Sequence, residues 1–191
     1  FRNDLLQPCP NDGMVIGCGS GATAPYATLC IGEKRRRREL TDIVAIPTSK
    51  ETAALAEREE IPLTTLESHD QIDLTIDGAD EVDPDLNVIK GLGGFLLREK
   101  VVAFATRREI IVADDSKLVE CLGTKSPLPV EVLQFGWRNT SLALAKTGAN
   151  PVLRLRDGQP YVTDEGNYII DCRYERISDP QTLSVQVNAI P

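Results

Sequence analysis

At 191 residues, with 41% hydrophobic and 26% charged, the chain can form one domain or two small ones and reads as a soluble globular protein. Its formal net charge of -8 argues against non-specific nucleic-acid binding, which depends on cations neutralising phosphates. No apolar run approaches the roughly 20 residues needed to span a bilayer, so no membrane partner is expected. The five cysteines (Cys9, Cys18, Cys30, Cys121, Cys172) are scattered without a Cys-x-x-Cys pair. That pattern points to reduced thiols inside a cell rather than a disulfide framework or zinc site. His69 is the single histidine, which excludes multi-His metal sites, and its neighbour Asp70 does not make a Ser-His-Asp triad merely by adjacency. Phe1 opens the chain with no signal-peptide pattern after it, so a fragment or processed form is expected.

Gly13-Met14-Val15-Ile16 followed by Gly17-Cys18-Gly19-Ser20-Gly21-Ala22-Thr23-Ala24 predicts a short strand, a glycine turn and a helix start. Gly17, Gly19 and Ala22 fit the spacing of a dinucleotide fingerprint, but an unliganded strand-to-helix turn fits equally well. The basic run Lys34–Arg38 reads as a solvated helix end in preference to a phosphate patch or nuclear signal. Asp42–Pro47 predicts a buried strand, and Thr48 or Ser49 can cap a helix through Ala53–Ala56. Gln71–Ile76 predicts the next strand, with Asp77 at its carboxyl end. A helix over Leu96–Ala105 and a strand over Glu109–Ala113 follow.

Strands alternating with helices imply a Rossmann-like, mostly parallel α/β sheet with helices on both faces. Ligands bind such sheets at the carboxyl ends of the strands. Ser20–Thr23, Thr48–Ser49, Asp77–Asp80 and Asp114–Lys117 would share that rim. The character changes at Pro127-Leu128-Pro129. Strands at Val130–Leu133, Val152–Arg156, Tyr161–Val162 and Tyr168–Cys172, with helices near Ser141–Lys146 and Pro180–Asn188, suggest a smaller α+β unit of ferredoxin-like kind. The expected division is therefore 1–126 and 127–191.

Thr75–Lys100 carries the densest chemistry. Asp77, Asp80, Glu81, Asp83 and Asp85 precede Lys90, a Gly91-Leu92-Gly93-Gly94 turn and Glu99. Acids, one lysine and a glycine turn suit proton transfer on an anionic substrate, while an acidic surface loop before an ordinary helix is the plainer reading. A calcium loop starting at Asp83 would need glycine at its sixth position, where Val88 stands. Magnesium held by Asp77 and Asp80 stays open on the residues alone.

These motifs, together with Ile46-Pro47-Thr48-Ser49, Ala113–Lys117 and Pro127–Val132, occur in the order and spacing of type A ribose-5-phosphate isomerases. Nearly the whole chain, from Asp12 to Pro191, resembles that family. The block Asp77-Gly78-Ala79-Asp80-Glu81, followed by Lys90-Gly91 and Arg98-Glu99-Lys100, carries most of the likeness. The resemblance implies an aldose–ketose isomerase of the pentose phosphate pathway acting on a small sugar phosphate, with no cofactor or metal. It implies Glu99 as proton acceptor and Lys90, with the N–H groups of Gly91 and Gly93, as enediolate stabiliser. Asp77 and Asp80 would hold sugar hydroxyls and assist ring opening. Gly78, Ala79 and Leu92 would line the substrate, Lys117 would contact it, and Ser20, Gly21, Ala22 and Thr23 would cradle its phosphate.

Two departures stand out. The family's phosphate loop usually reads Gly-Thr/Ser-Gly-Ser-Thr, so Ala22 removes one hydroxyl, and Leu92 replaces a frequent glycine. Family members also continue beyond the equivalent of Pro191, so the small unit is expected to be C-terminally short, and Phe1–Pro10 has little helical pattern. A catalytically weak or inactive relative that binds sugar phosphates is the alternative. Ala22 and the short end favour it, while Asp77, Asp80, Lys90 and Glu99 oppose it. An amino-sugar phosphate isomerase or coenzyme A transferase is disfavoured by the Asp77–Glu81 and Lys90–Lys100 blocks. The family also implies a homodimer or homotetramer, in the cytoplasm or a plastid.

Overall fold

Four short strands, β1 (Val15–Cys18), β2 (Val44–Pro47), β3 (Leu74–Gly78) and β6 (Glu109–Val112), form a parallel sheet in the order β2-β1-β3-β6. The computed structural model describes residues 10–191. The readings of Phe1–Pro10 and of Cys9 therefore fall largely on residues 1–9, outside the described ones. Every residue of β1 is buried, as expected for a central parallel strand covered on both faces. Its side chains alternate between two cores. Ile16 and Cys18 pack with Ile31 of helix α1 (Ala24–Arg36) and Ala56 of helix α2 (Lys50–Arg58). Val15 packs with Ile46, Ile72 and Val102, the last from helix α3 (Leu96–Phe104). The expected sheet with helices on both faces is thus present.

Local chemistry explains where these helices begin and end. Pro25 occupies the first turn of α1, and Lys34, Arg35 and Arg36 close its last turn, where the helix dipole favours cations. Lys34 pairs with Glu39 at 3.3 Å and Arg36 with Glu59 at 2.5 Å, so the basic run is a helix end tied down by carboxylates. Ser49 caps α2 by accepting a hydrogen bond from Thr52 N at 3.0 Å, with Glu51 in the first turn and Arg58 in the last. In the sheet, Gly17 is required by crowding: a Cβ there would lie 2.9 Å from the Thr75 Cβ.

By packing, the chain divides into two compact units. One comprises the chain to Gly78 with Leu97–Val112, and the other Ala79–Leu96 with Ala113–Pro191. The sequence suggested a division at 126/127 instead. Packing assigns 79–96 and 113–126 to the unit of 127–191.

The second unit holds a three-stranded antiparallel sheet, ordered β7 (Leu128–Val132), β11 (Tyr168–Arg173), β8 (Asn150–Leu153). Helix α4 (Trp137–Ala145) contributes Leu144 to a core with Val132, Ile170 and Cys172, and α5 (Pro180–Asn188) contributes Leu183 to a core with Ile89, Val119, Leu122 and Ile177. Asp179 caps α5 by accepting from Thr182 N at 3.0 Å. Two positive φ values, 52° at Asp157 and 76° at Gly158, make the tight turn joining β9 (Leu155–Arg156) to β10 (Gln159–Pro160). β10 covers only Gln159–Pro160, so Tyr161–Val162, expected as a strand, lies just outside it. A further hairpin, β4 (Glu81–Val82) with β5 (Val88–Ile89), was not anticipated, because two-residue strands have no periodicity to read.

Among the described residues no helix is long and apolar enough to cross a membrane. The described cysteines Cys18, Cys30, Cys121 and Cys172 are free thiols. Burial pushes the Cys18 thiol up to about 11, and burial with the nearby Asp171 charge pushes Cys172 up to about 12. Near pH 8, native protein should therefore react with iodoacetamide at exposed Cys30 and spare Cys18 and Cys172 until denaturant is added. Peptide mass spectrometry resolves the sites, and native labelling of Cys172 would contradict this packing.

Candidate active site

The first unit presents the turn after β1 beside the end of β3. Gly19 N donates to Ile76 O at 2.9 Å, and a Cβ on Gly19 would lie 2.6 Å from the Asp77 Cα. Only glycine lets the loop backbone lie this close to Asp77. The loop is fastened from the adjoining rim by buried hydroxyls. Ser20 Oγ lies 2.7 Å from Thr48 Oγ1, 2.8 Å from Ser49 Oγ and 3.0 Å from Thr52 Oγ1. Thr48 Oγ1 donates to Cys18 O at 3.0 Å, and Thr52 Oγ1 to Gly19 O at 3.1 Å. Thus the Ser20 hydroxyl turns inward, whereas Gly21 and Ala22 are exposed and Thr23 is half-buried. Gly21 takes φ +94°, and the first turn of α1 carries no acidic residue and no side-chain cap bond from Thr23. A helix start of that kind suits an anion.

Asp77 is fully buried at the end of β3, and Glu99 is 5% exposed in the first turn of α3. Asp77 Oδ1 accepts from Gly78 N at 2.7 Å. Both carboxylates are engaged by neighbouring groups, and each also has one buried oxygen, Asp77 Oδ2 and Glu99 Oε2, that accepts no hydrogen bond.

In the second unit the β4–β5 hairpin gathers Ala79, Asp80, Lys90, Gly91, Leu92 and Gly93. Asp80 N donates to Ile89 O at 2.8 Å, and Asp80 Oδ2 accepts from Leu92 N at 2.9 Å. Gly94 N closes the turn on Gly91 O at 3.0 Å, with φ +96° at Gly91. Lys90 directly follows β5 at the mouth of this turn. Asp83 spends its oxygens on the hairpin loop, accepting from Asp85 N, Asn87 N and Asn87 Nδ2. Among the described residues no group of three or more His, Cys, Asp or Glu side chains is arranged to hold a metal ion.

Three side chains that the sequence reading left without a role organise this unit. Glu81 is fully buried, and its carboxylate accepts from Gly123 N at 2.6 Å, Lys125 N at 2.8 Å and Ser126 N. Lys125 Nζ in turn donates to Ser116 O at 2.8 Å and Leu118 O at 3.0 Å, the carbonyls on either side of Lys117. Lys117 ends a 3-10 turn, Asp115–Lys117, capped by Asp114 through Ser116 N. Hydrogen bonds from Ser116 hold the Asp114 carboxyl below the usual carboxylate range. Arg154 donates to Leu92 O at 2.9 Å and more weakly to Gly91 O at 3.4 Å. Glu81 lay inside the acidic block and could have been singled out there, but no local pattern marks Arg154 or Lys125.

Known proteins resemble this chain in sequence and in fold. The family model described as ribose 5-phosphate isomerase A (phosphoriboisomerase A) matches residues 44–191. The chain belongs to this family. It is 54% identical to ribose-5-phosphate isomerase A of Chloroflexus aurantiacus, over 97% of this chain and 76% of that one. A solved D-ribose-5-phosphate isomerase in complex with phospho-erythronic acid superposes with TM-score 0.92 at 41% identity, over 95% of this chain and 80% of that one. The ribose 5-phosphate isomerase of Plasmodium falciparum gives TM-score 0.92 at 39% identity, over 98% and 83%. The family resemblance drawn from the Asp77–Glu81 and Lys90–Lys100 blocks is thereby established, and so is the α/β fold it implied.

Two stability effects follow from the site's packing. Gly19→Ala should cost about 1–3 kcal/mol because a methyl group must displace the Asp77 backbone. Glu81→Gln should lose on the order of 1.5–3 kcal/mol, the worth of a charge-assisted bond, since one carboxylate oxygen becomes a donor facing N–H groups. Denaturant unfolding measures both, and a Glu81→Gln protein as stable as its parent would refute the role given to that carboxylate.

Proposed function

We propose that this chain is an aldose–ketose isomerase that interconverts D-ribose 5-phosphate and D-ribulose 5-phosphate through an enediolate, in the non-oxidative pentose phosphate pathway and without a cofactor. One observation carries the reading above the rest: the family's acid block, its lysine and its glutamate stand in place, with a glycine turn between them, in a matching fold. A relative that binds phospho-erythronic acid, a sugar-acid phosphate, is consistent with such a substrate.

In this reading Glu99 removes the proton from C2 of the open-chain aldose and returns it to C1. A carboxylate that is nearly excluded from water is suited to proton transfer from carbon, where a solvated one would be levelled by its hydration. Charge that develops on the enediolate oxygens is met by the Lys90 ammonium and by N–H groups of Gly91 and Gly93. Asp77 and Asp80 hold sugar hydroxyls and assist ring opening and proton exchange between O1 and O2. Asp80 does so with one oxygen committed to Leu92 N, so it also shapes the glycine turn. Gly78, Ala79 and Leu92 border the sugar. The phosphate sits at the start of α1, held by backbone N–H groups of Gly21 and Ala22 and by Thr23, with Ser20 fixing the loop from beneath. Lys117 supplies further positive charge to the anionic substrate. We also assign the enzyme to the cytoplasm, with a plastid as the other reducing compartment, and to a homodimer or homotetramer, states that sedimentation equilibrium separates.

Glu99→Gln should lower kcat by about 10²–10⁴ while sugar phosphate binding persists. Coupled conversion of ribose 5-phosphate and calorimetric binding provide the two readouts. Undiminished turnover in that variant would overturn the assignment of Glu99, and binding without turnover in the parent chain would favour a sugar-phosphate binder. Ala22→Ser should lower KM about 3- to 10-fold by restoring one hydroxyl to the phosphate loop. An unchanged KM would place Ala22 outside the phosphate contact.

A further inference from the structure

We propose that Arg154, held by Asp171, is a positioning residue for catalysis: it sets the direction of the backbone N–H that meets the enediolate oxygen. The proposal rests on the isomerase reading above and adds a residue that no motif in the chain marks. Arg154 follows β8, and its guanidinium is gripped at both ends by Asp171 on β11, Nε to Oδ2 at 2.9 Å and Nη2 to Oδ1 at 2.5 Å. The pair is mostly buried, with side chains 14% and 21% exposed. A bidentate pair of this kind fixes the plane of the guanidinium and leaves Nη1 only one way to point.

Nη1 points at the glycine turn, donating to Leu92 O at 2.9 Å and reaching Gly91 O at 3.4 Å. A peptide unit is planar, and in the trans form its C=O and N–H face opposite sides. Holding the Leu92 carbonyl toward Arg154 therefore turns the Gly93 N–H the other way, and holding the Gly91 carbonyl does the same for the Leu92 N–H. The second consequence is visible in the structure, since Leu92 N donates to Asp80 Oδ2 at 2.9 Å. The turn is thus held on its carbonyl side by a cation and on its N–H side by a carboxylate of the reacting centre. The bond from Gly94 N to Gly91 O closes the turn around the Leu92–Gly93 peptide without fixing which way that peptide faces, and Gly93 has no side chain to oppose a flip. An oxyanion donor contributes only if its direction is set before charge develops, and Arg154 sets it.

The test is steady-state kinetics with ribose 5-phosphate on Arg154→Met, Arg154→Lys and Asp171→Asn, beside Glu99→Gln and with melting curves for each. The expected result is a kcat lowered about 10- to 100-fold in Arg154→Met, with KM changed far less. Arg154→Lys keeps the charge but not the two-ended grip, so its kcat should fall between Arg154→Met and the parent, and Asp171→Asn should lose kcat in the same sense. If Arg154→Met melts well below assay temperature, Arg154→Lys and Asp171→Asn decide the matter at full folding. A parent-like kcat per folded molecule in the folded variants, with only the melting temperature lowered, would reduce Arg154 to a structural role and overturn the proposal. Full activity in Glu99→Gln would instead strike at the isomerase assignment itself, so the two failures are told apart.

Discussion

A carboxylate taken out of water must recover its lost hydration from hydrogen bonds or opposite charge, and this chain buries three of them within a short span: Asp77, Glu81 and Glu99. Glu81 meets the requirement through three backbone N–H groups, and in doing so it draws residues 123–126 onto the start of β4. That attachment places Lys125 where its ammonium holds the carbonyls around Lys117. One desolvated acid thus dictates the path of two segments far from it in sequence. Asp77 and Glu99 are buried in the other packing unit, at the end of a strand and the start of a helix.

The same economy governs the loops that would contact substrate. Each is held from behind by side chains of neighbouring segments. Thr48, Ser49 and Thr52 hold the loop after β1 through the Ser20 hydroxyl and the Cys18 and Gly19 carbonyls. Asp80 and Arg154 hold the turn after Lys90 through its N–H and carbonyl groups. Glycine-rich segments suit close backbone approach to phosphate and sugar but carry a large entropy that something must remove. Here the neighbouring hydroxyl cluster and ion pair remove it, which lets flexible sequences act as rigid donors.

Membership in the isomerase family turns local departures into questions about geometry. Ala22 lies exposed in its loop, so a hydroxyl there or its absence leaves the packing beneath undisturbed. Leu92 is also exposed, and its backbone, not its side chain, carries the bonds to Asp80 and Arg154. Both positions therefore tolerate change in ways that Gly17 and Gly19 do not, because the latter pair lies against Thr75 and Asp77.

What the sequence determined by itself is what short-range chemistry determines. The buried strands at Val15 and Val44, the Ser49 and Asp179 caps, the basic end of α1 and the Asp157-Gly158 turn each follow from residues within a few positions of one another. The acid, lysine and glycine blocks that mark the family lie equally close in the chain. Tertiary structure alone decided which members of those blocks are buried, that Ser20 turns its hydroxyl inward, and that two-residue strands form a hairpin around Asp83. It also decided that Glu81 binds the backbone of 123–126, Lys125 the carbonyls beside Lys117, and Arg154 the turn after Lys90. Those bonds join residues 7 to 63 positions apart, and such pairings are set by how strands and loops pack, since no sequence period encodes them.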